Sequence, residues 1–135
     1  MLHLFDTAQG KVVPFEPREP GKVSMYVCGP TVYGPPHLGH GRFSLVFDVL
    51  RRYLTWTGLE VNYVSNITDI DDKIIRTAAA EGIEIRALTD RWEAVFRADM
   101  AALRMETPDE MPRATEHIPE QIALVQQLLD RGHAY

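Results

Sequence analysis

A chain of 135 residues, of which 45% are hydrophobic and 24% are charged, is long enough to bury one hydrophobic core. Its formal net charge is −5 and no long run of like charges occurs, which excludes a basic nucleic-acid-binding arm and an acidic tail. The one cysteine cannot form a disulfide within the chain, and no segment approaches the roughly 18 apolar residues of a membrane span. We therefore expect a cytoplasmic protein without membrane contact.

Residues 1–22 are predicted to be an irregular lead-in. Three prolines and two glycines lie between positions 10 and 22, on either side of the apolar pair Val12 and Val13. Prolines of this density exclude a central strand but are compatible with an edge strand, so a short edge strand is expected at this pair.

Residues 23–65 are predicted to form a β-α-β unit. Residues 23–28 are β-rich and nearly continuous in apolar character, which is typical of a parallel strand covered on both faces. Apolar side chains then recur at helical spacing over about 38–57, and residues 60–65 alternate as a second strand does. Two parallel strands joined by a helix imply a right-handed crossover.

Residues 66–135 are predicted to be mainly helical. Apolar spacing and stop signals indicate helices over about 69–81, 88–103 and 119–132. A sheet of two parallel strands leaves edges and apolar faces uncovered, and no closing strand follows the last helix. We therefore expect the chain to be a piece of a larger protein.

The first candidate site is the turn over residues 28–40, between the first strand and the first helix. In open α/β sheets, ligands bind where strands end and helices begin, and the N-H groups and dipole of a helix start favour phosphate. Gly39 would let a ligand approach the backbone, and His37 and His40 could donate to phosphoryl oxygens. Helix capping by the two histidines stays open, because their spacing alone is not specific.

The second candidate site follows the second strand, where Asn66 and Thr68 would face the same crevice. Three aspartates nearby are explained by capping and by the helix dipole better than by a magnesium site: Asp69, Asp71 and Asp72. Cys28 alone is interpreted as a packed, inert thiol, because one cysteine cannot complete a four-ligand zinc site.

Four motifs, in this order, resemble one known family. They are Tyr-Val-Cys-Gly-Pro-Thr-Val-Tyr at 26–33, His-Leu-Gly-His at 37–40, Ser-Asn-Ile-Thr-Asp-Ile-Asp-Asp-Lys at 65–73 and Pro-Arg-Ala-Thr-Glu-His-Ile at 112–118. Together they resemble the cysteinyl-tRNA synthetases, which are class I aminoacyl-tRNA synthetases, over essentially the whole chain. The resemblance implies an α/β fold: residues 1–135 would be the N-terminal part of a Rossmann-like catalytic domain, with parallel strands and helices followed by a helical stretch.

The resemblance also implies roles for single residues. The family motif His-Ile-Gly-His reads His-Leu-Gly-His here, so His37, Gly39 and His40 would bind ATP, and the two histidines would be catalytic. Cys28 matches the first zinc ligand of the family, whose metal binds the substrate thiolate. Three residues would line the cysteine pocket: Gly29, Thr31 and Thr68. For His117, a contact at a helix start is expected rather than a direct role.

The implied substrates are ATP with magnesium, cysteine and tRNA(Cys). The family's second ATP motif, of the form Lys-Met-Ser-Lys-Ser, and its other zinc ligands are not in this chain, and most tRNA contacts are expected outside it. We therefore expect the chain to be inactive by itself and able to self-associate through uncovered apolar faces.

Two alternatives remain open. One is the related cysteine ligase of mycothiol biosynthesis, although Gly-Pro-Thr-Val-Tyr-Gly at 29–34 resembles the synthetase more closely. The other is a folded fragment without catalytic activity, with weak ATP affinity at most.

Overall fold

The computed structural model describes residues 2–135. Its elements in chain order are β1 (His3–Asp6), β2 (Lys11–Pro14), β3 (Lys22–Val27), α1 (Leu38–Trp56), β4 (Glu60–Ser65), α2 (Asp72–Glu81), α3 (Ile85–Ala102), a 3-10 turn (Ala114–His117) and α4 (Ile118–Asp130). None of the helices in this part of the chain is both long and apolar enough to cross a membrane.

The N-terminal segment forms a hairpin. Strands β1 and β2 pair antiparallel, with His3 opposite Pro14 and Asp6 opposite Lys11. The Asp6 carboxylate closes the turn by accepting hydrogen bonds from the backbone of Ala8 and Gln9, and Gly10 takes the left-handed conformation that the turn requires. The segment is therefore more regular than the predicted lead-in, and the edge strand expected at Val12 and Val13 is one side of this hairpin.

The β-α-β unit is present as predicted. Strands β3 and β4 pair in parallel, in a register that joins Lys22 to Glu60 and Val27 to Ser65. Helix α1 connects them and packs against β4. The helix ends where the sequence indicates, since Gly58 follows it with a φ of 90°.

Residues 110–113, which the sequence analysis placed between two helices, are hydrogen-bonded to the sheet at β4. The backbone N-H of Ser65 donates to the carbonyl of Glu110 at 3.0 Å, and that of Ile67 donates to the carbonyl of Pro112 at 2.8 Å. Parallel bridges join Val64 to Glu110 and Ile67 to Arg113. Residues 110–113 thus run beside β4 and are joined to it by isolated bridges without forming a strand, whereas none of the described strands pairs with the other edge of β3.

Charged side chains attach the loop at 103–109, which follows α3, to α1. The Asp48 carboxylate is 4% exposed and accepts hydrogen bonds from the backbone of Glu106 and the side chain of Arg52. Asp109 accepts from the backbone N-H of Tyr63 at 2.7 Å and from Arg51 at 2.7 Å. These bonds fix the loop against both α1 and β4.

Helices α2 and α3 pack as a pair around Ile74, Ala78 and Leu88, with Trp92 at the border of this cluster. Helix α2 begins at Asp72 rather than at the predicted 69, because Asp71 caps it by accepting from the backbone of Lys73 at 2.7 Å. Helix α3 begins three residues before the predicted start.

Helix α4 begins one residue before the predicted start and ends two residues before the predicted end. Within the described chain it packs mainly against the 3-10 turn that precedes it. Its large apolar side chains are exposed: Ile118, Ile122, Leu124, Val125, Leu128 and Leu129.

Candidate functional site

The turns that follow β3 and β4 lie side by side and are joined by backbone hydrogen bonds. The N-H of Thr68 donates to the carbonyl of Pro30 at 3.0 Å, and the N-H of Val32 donates to the carbonyl of Thr68 at 3.2 Å. The Asn66 side chain accepts from the N-H of Gly29 at 2.9 Å and donates to the Thr68 hydroxyl at 3.1 Å. The crevice predicted at the strand ends therefore has two walls fixed to each other.

Gly29 is required by the contact between these turns. A Cβ atom at this position would lie 1.5 Å from the backbone carbonyl oxygen of Asn66. No side chain fits into that distance, so the glycine allows the second turn to pass directly against the first. Thr31 continues the contact through a parallel bridge to Thr68.

Cys28 follows β3 directly and is exposed. It lines a small pocket together with His40, Ser44, Ser65 and Phe96. The structure thus brings Cys28 and one of the two histidines to the same concave surface. Thr31 and His40 line a neighbouring depression together with Trp92, whose buried indole N-H has no hydrogen-bond partner among the described residues.

Sequence reasoning missed the polar side chains at the base of the Cys28 pocket. Ser44, Tyr63 and Ser65 line this pocket and also a larger one between α1, α3 and the loop at 105–108. Burial raises the pKa of the Tyr63 phenol, and a hydrogen bond with Ser65 acts in the opposite direction. Two periodicities could have revealed them. Tyr63 and Ser65 are two residues apart in β4 and so lie on the same face of the strand, and Ser44 lies one helical turn after His40.

His37 and His40 form a reciprocal cap at the start of α1. His37 is the N-cap residue, and its Nδ1 accepts a hydrogen bond from the N-H of Gly39 at 3.0 Å. The Nδ1 of His40 accepts from the N-H of His37, also at 3.0 Å. The two rings lie 3.9 Å apart, centroid to centroid. The capping role that the sequence left open is therefore present in the structure.

Burial lowers the pKa of His40, and the nearby charge of His37 lowers it further. Both effects favour the neutral form of the His40 ring. The positive end of α1 acts in the same direction, since it disfavours a cation in the first turn.

The aspartates of the second turn have separate roles. Asp71 caps α2, as the sequence predicted, and Asp72 lies in the first turn of that helix. The interpretation of Asp69 as a residue of the helix start was wrong. Asp69 is 2% exposed and accepts from the backbone N-H of Thr115 at 3.0 Å and from its hydroxyl at 2.5 Å.

Arg113 joins the fourth motif to α3. Its guanidinium forms ion pairs with Glu93 and, at 2.7 Å, with Asp90. Asp69 lies 4.0 Å from the same guanidinium. Arg113 and Thr115 of the segment 112–118 therefore contact Asp69 of the segment 65–73, and Arg113 also joins this pair of segments to α3. His117 lies at the start of α4, as expected, with its half-exposed ring 4.0 Å from the Glu120 carboxylate.

The residues described here do not form a metal site by themselves. Within 2–135, no group of three or more histidine, cysteine, aspartate or glutamate side chains is arranged to hold a metal ion. Cys28 is a single exposed thiol, whereas zinc sites in proteins use three or four side chains.

The fold is that of the catalytic domain of class I aminoacyl-tRNA synthetases. The structure matches that of Mycobacterium tuberculosis methionyl-tRNA synthetase in complex with methionyl-adenylate with a TM-score of 0.65, over 70% of this chain and 18% of that chain. The sequence identity is 23%, so this likeness concerns the fold alone.

The sequence identifies the family within this class. The family model for the class I (C) tRNA synthetase catalytic domain matches residues 14–135, and the chain belongs to this family. The chain is 53% identical, over its whole length, to a cysteine–tRNA ligase of Halorhodospira halophila, and 54% identical, over 99% of its length, to one of Geotalea uraniireducens. It spans 29% and 27% of the lengths of these two relatives.

Proposed function

We propose that this chain is the N-terminal part of the catalytic domain of a cysteine–tRNA ligase. The observation that carries the proposal is the similarity of the whole chain to cysteine–tRNA ligases, at 53% identity in one case. The proposed substrates imply that the protein acts in the cytoplasm.

The proposed reaction has two steps. The carboxylate of cysteine attacks the α-phosphorus of ATP, a bond from carboxylate oxygen to phosphorus forms, and the bond from this phosphorus to the oxygen that bridges to the β-phosphate breaks, so that pyrophosphate leaves. A ribose hydroxyl at the 3′ end of tRNA(Cys) then attacks the carbonyl carbon of the adenylate, the bond from this carbon to the phosphate oxygen breaks, and AMP leaves as the hydroxyl proton passes to solvent. Both steps depend on positioning and on stabilisation of developing negative charge.

We assign the ATP side of the site to the start of α1. The N-terminus of a helix attracts phosphate through its free N-H groups and its dipole. His37 and His40 lie on this first turn, and Gly39 lies between them. The two histidines would therefore contact the phosphates as pyrophosphate departs.

We assign the cysteine side to the two joined turns. Gly29, Thr31 and Thr68 lie where the turns meet, and Cys28 lies beside them. In this proposal, Cys28 supplies one thiolate to a zinc ion whose other ligands come from outside this chain. Zinc in such a site favours a thiolate over the hydroxyl of serine, which would exclude serine as a substrate.

Aminoacylation by the longer protein that we propose contains this chain tests the assignment. The purified protein should attach cysteine to tRNA(Cys) in an ATP-dependent manner and should not join cysteine to an amino sugar-inositol acceptor. The opposite preference would support the mycothiol-type ligase and refute our assignment. The 135-residue chain alone should form no cysteinyl-adenylate. Robust formation would refute the claim that the site within this chain is incomplete.

The role of Cys28 has its own test. In the longer protein, Cys28→Ser should lower the zinc content and cysteine-dependent pyrophosphate exchange together, because a hydroxyl is a poor zinc ligand. Zinc content measured by atomic absorption does not depend on activity. An unchanged zinc content in a folded Cys28→Ser protein would remove the metal assignment.

We further propose that the apolar face of α4 is covered by other parts of the longer protein. The chain spans 29% of one relative, and Ile122 of this helix is 64% exposed. In the isolated chain, this face should cause concentration-dependent self-association, measurable by light scattering. A monomer at all concentrations would contradict this.

A further inference from the structure

Each imidazole ring at the start of α1 receives a backbone N-H on its Nδ1 atom. The N-H of Gly39 points to His37, and the N-H of His37 points to His40, each at 3.0 Å. A ring nitrogen that accepts a hydrogen bond carries no proton, so a neutral imidazole in this position must carry its hydrogen on Nε2. The first turn of α1 therefore selects the same tautomer in both rings.

Three features oppose the doubly protonated form of these rings, and a fourth applies to His40 alone. Protonation at Nδ1 would direct a hydrogen at the backbone N-H that now donates to it. The ring centroids are only 3.9 Å apart, so two positive charges would repel each other. The rings also lie at the positive end of the helix dipole. Burial, which lowers the pKa of His40, acts in the same direction.

We propose that His37 and His40 serve the nucleotide site as two neutral Nε2-H donors, while the Nδ1 atom of each ring is committed to the first turn of α1. This inference rests on the proposed ATP site and divides each ring between two tasks. Nδ1 shapes the helix start, and Nε2 meets an anionic oxygen. No group among residues 2–135 makes a hydrogen bond with either Nε2. The field that attracts phosphate then comes from the helix and not from charged histidines.

Gly39 belongs to the same arrangement. A Cβ atom at this position would lie 2.8 Å from Cε1 and 2.9 Å from Nδ1 of His37. Any side chain at residue 39 would push the His37 ring away from the N-H that it accepts. The glycine is thus needed to fold the ring back over the helix start, a reason different from the ligand approach that the sequence suggested.

Imidazole nitrogen NMR tests the tautomers directly. In the 15N-labelled 135-residue chain at pH 8, long-range proton–nitrogen correlations should show an unprotonated Nδ1 and a protonated Nε2 for both His37 and His40. A protonated Nδ1 on either ring, or averaged signals from a ring that exchanges between tautomers, would overturn the proposal. This measurement needs no ATP, so it remains decisive even if the proposed function fails.

A pair of amide substitutions separates the two tasks of His40. His40→Asn places a carbonyl oxygen near the position of Nδ1 and should keep the cap, with a melting temperature within about 1 °C of the parent. His40→Gln places an amide N-H near Nε2 and loses the cap, and it should lower the melting temperature by about 2 to 8 °C. Equal losses of melting temperature in both variants would refute the division of His40 between a capping Nδ1 and a donating Nε2.

Pyrophosphate exchange by the longer protein completes the test. His40→Asn should lower kcat/KM for ATP by a factor of about 10² or more despite its parental melting temperature, because one donor to the phosphates is lost. Parental exchange in His40→Asn would refute the donor role of Nε2. If the unmodified longer protein performs no exchange, the proposed function fails, and the NMR result and the melting temperatures still decide the tautomers.

Discussion

Gly29→Ala perturbs the contact between the two turns at a single atom. The added Cβ would lie 1.5 Å from the carbonyl oxygen of Asn66, whereas non-bonded contacts of carbon are about 3.5 Å or longer. The turns must therefore separate by about 2 Å at this point. The obstacle is backbone on the neighbouring turn, so no rotation of a flexible side chain relieves it.

The expected cost follows from the hydrogen bonds that join the turns. Separation breaks the bond from Gly29 to the Asn66 side chain and two backbone bonds that link Thr68 to Pro30 and Val32. Each such bond contributes about 0.5 to 1.5 kcal/mol net. We expect Gly29→Ala to lower the free energy of unfolding by about 2 to 4 kcal/mol.

Gly34→Ala is the matched control, because it lies in the same turn and an added Cβ there meets no atom within 4 Å. Urea unfolding of the 135-residue chain, followed by circular dichroism, should place this variant within about 0.5 kcal/mol of the parent. If Gly29→Ala destabilises the chain no more than Gly34→Ala does, the two turns are not packed as described.

Two further predictions concern charged and titratable groups. Arg113→Ala should cost about 1 to 3 kcal/mol in urea unfolding, because it leaves one oxygen of the buried Glu93 carboxylate without its partner, while Arg97 still pairs with the other oxygen. Arg86→Ala, at a side chain that is 63% exposed, should cost under about 0.5 kcal/mol, and similar costs for the two variants would contradict the proposed role of Arg113. The pKa of His40 is lowered in the folded state, so the unfolded chain binds more protons near the usual value of 6.5, and the free energy of unfolding should fall as pH drops through 6.5. His40→Asn should flatten the dependence of the free energy of unfolding on pH. An identical dependence in the parent and the variant would mean that other groups cause it.

The β-α-β unit and the position of the crevice between the two turns could be predicted from the sequence because both depend on local signals. The apolar run before Cys28 and the helical spacing after His37 specify a strand and a helix, and the rule that ligands bind at strand ends then places the crevice. The same local pattern predicts that His37 and His40 share one side of a helix turn.

Features that depend on distant residues could not be predicted in this way. Asp69 carries the signature of a helix start, but Thr115, 46 residues away, holds its carboxylate, and α2 begins later. The segment 110–113 contains Pro112 and no alternating pattern, and only backbone hydrogen bonds with Ser65 and Ile67 join it to the sheet. The close approach at Gly29 likewise depends on Asn66, which is 37 residues away.

Cysteine-dependent exchange of pyrophosphate into ATP, measured on the longer protein, tests the central claim most directly. We predict exchange that requires cysteine, that serine does not support, and that the double variant His37→Ala/His40→Ala lowers by at least about 10² with its zinc content unchanged. Exchange that needs no cysteine, or that survives the loss of both histidines, would contradict the assignment of the two turns to cysteine and ATP.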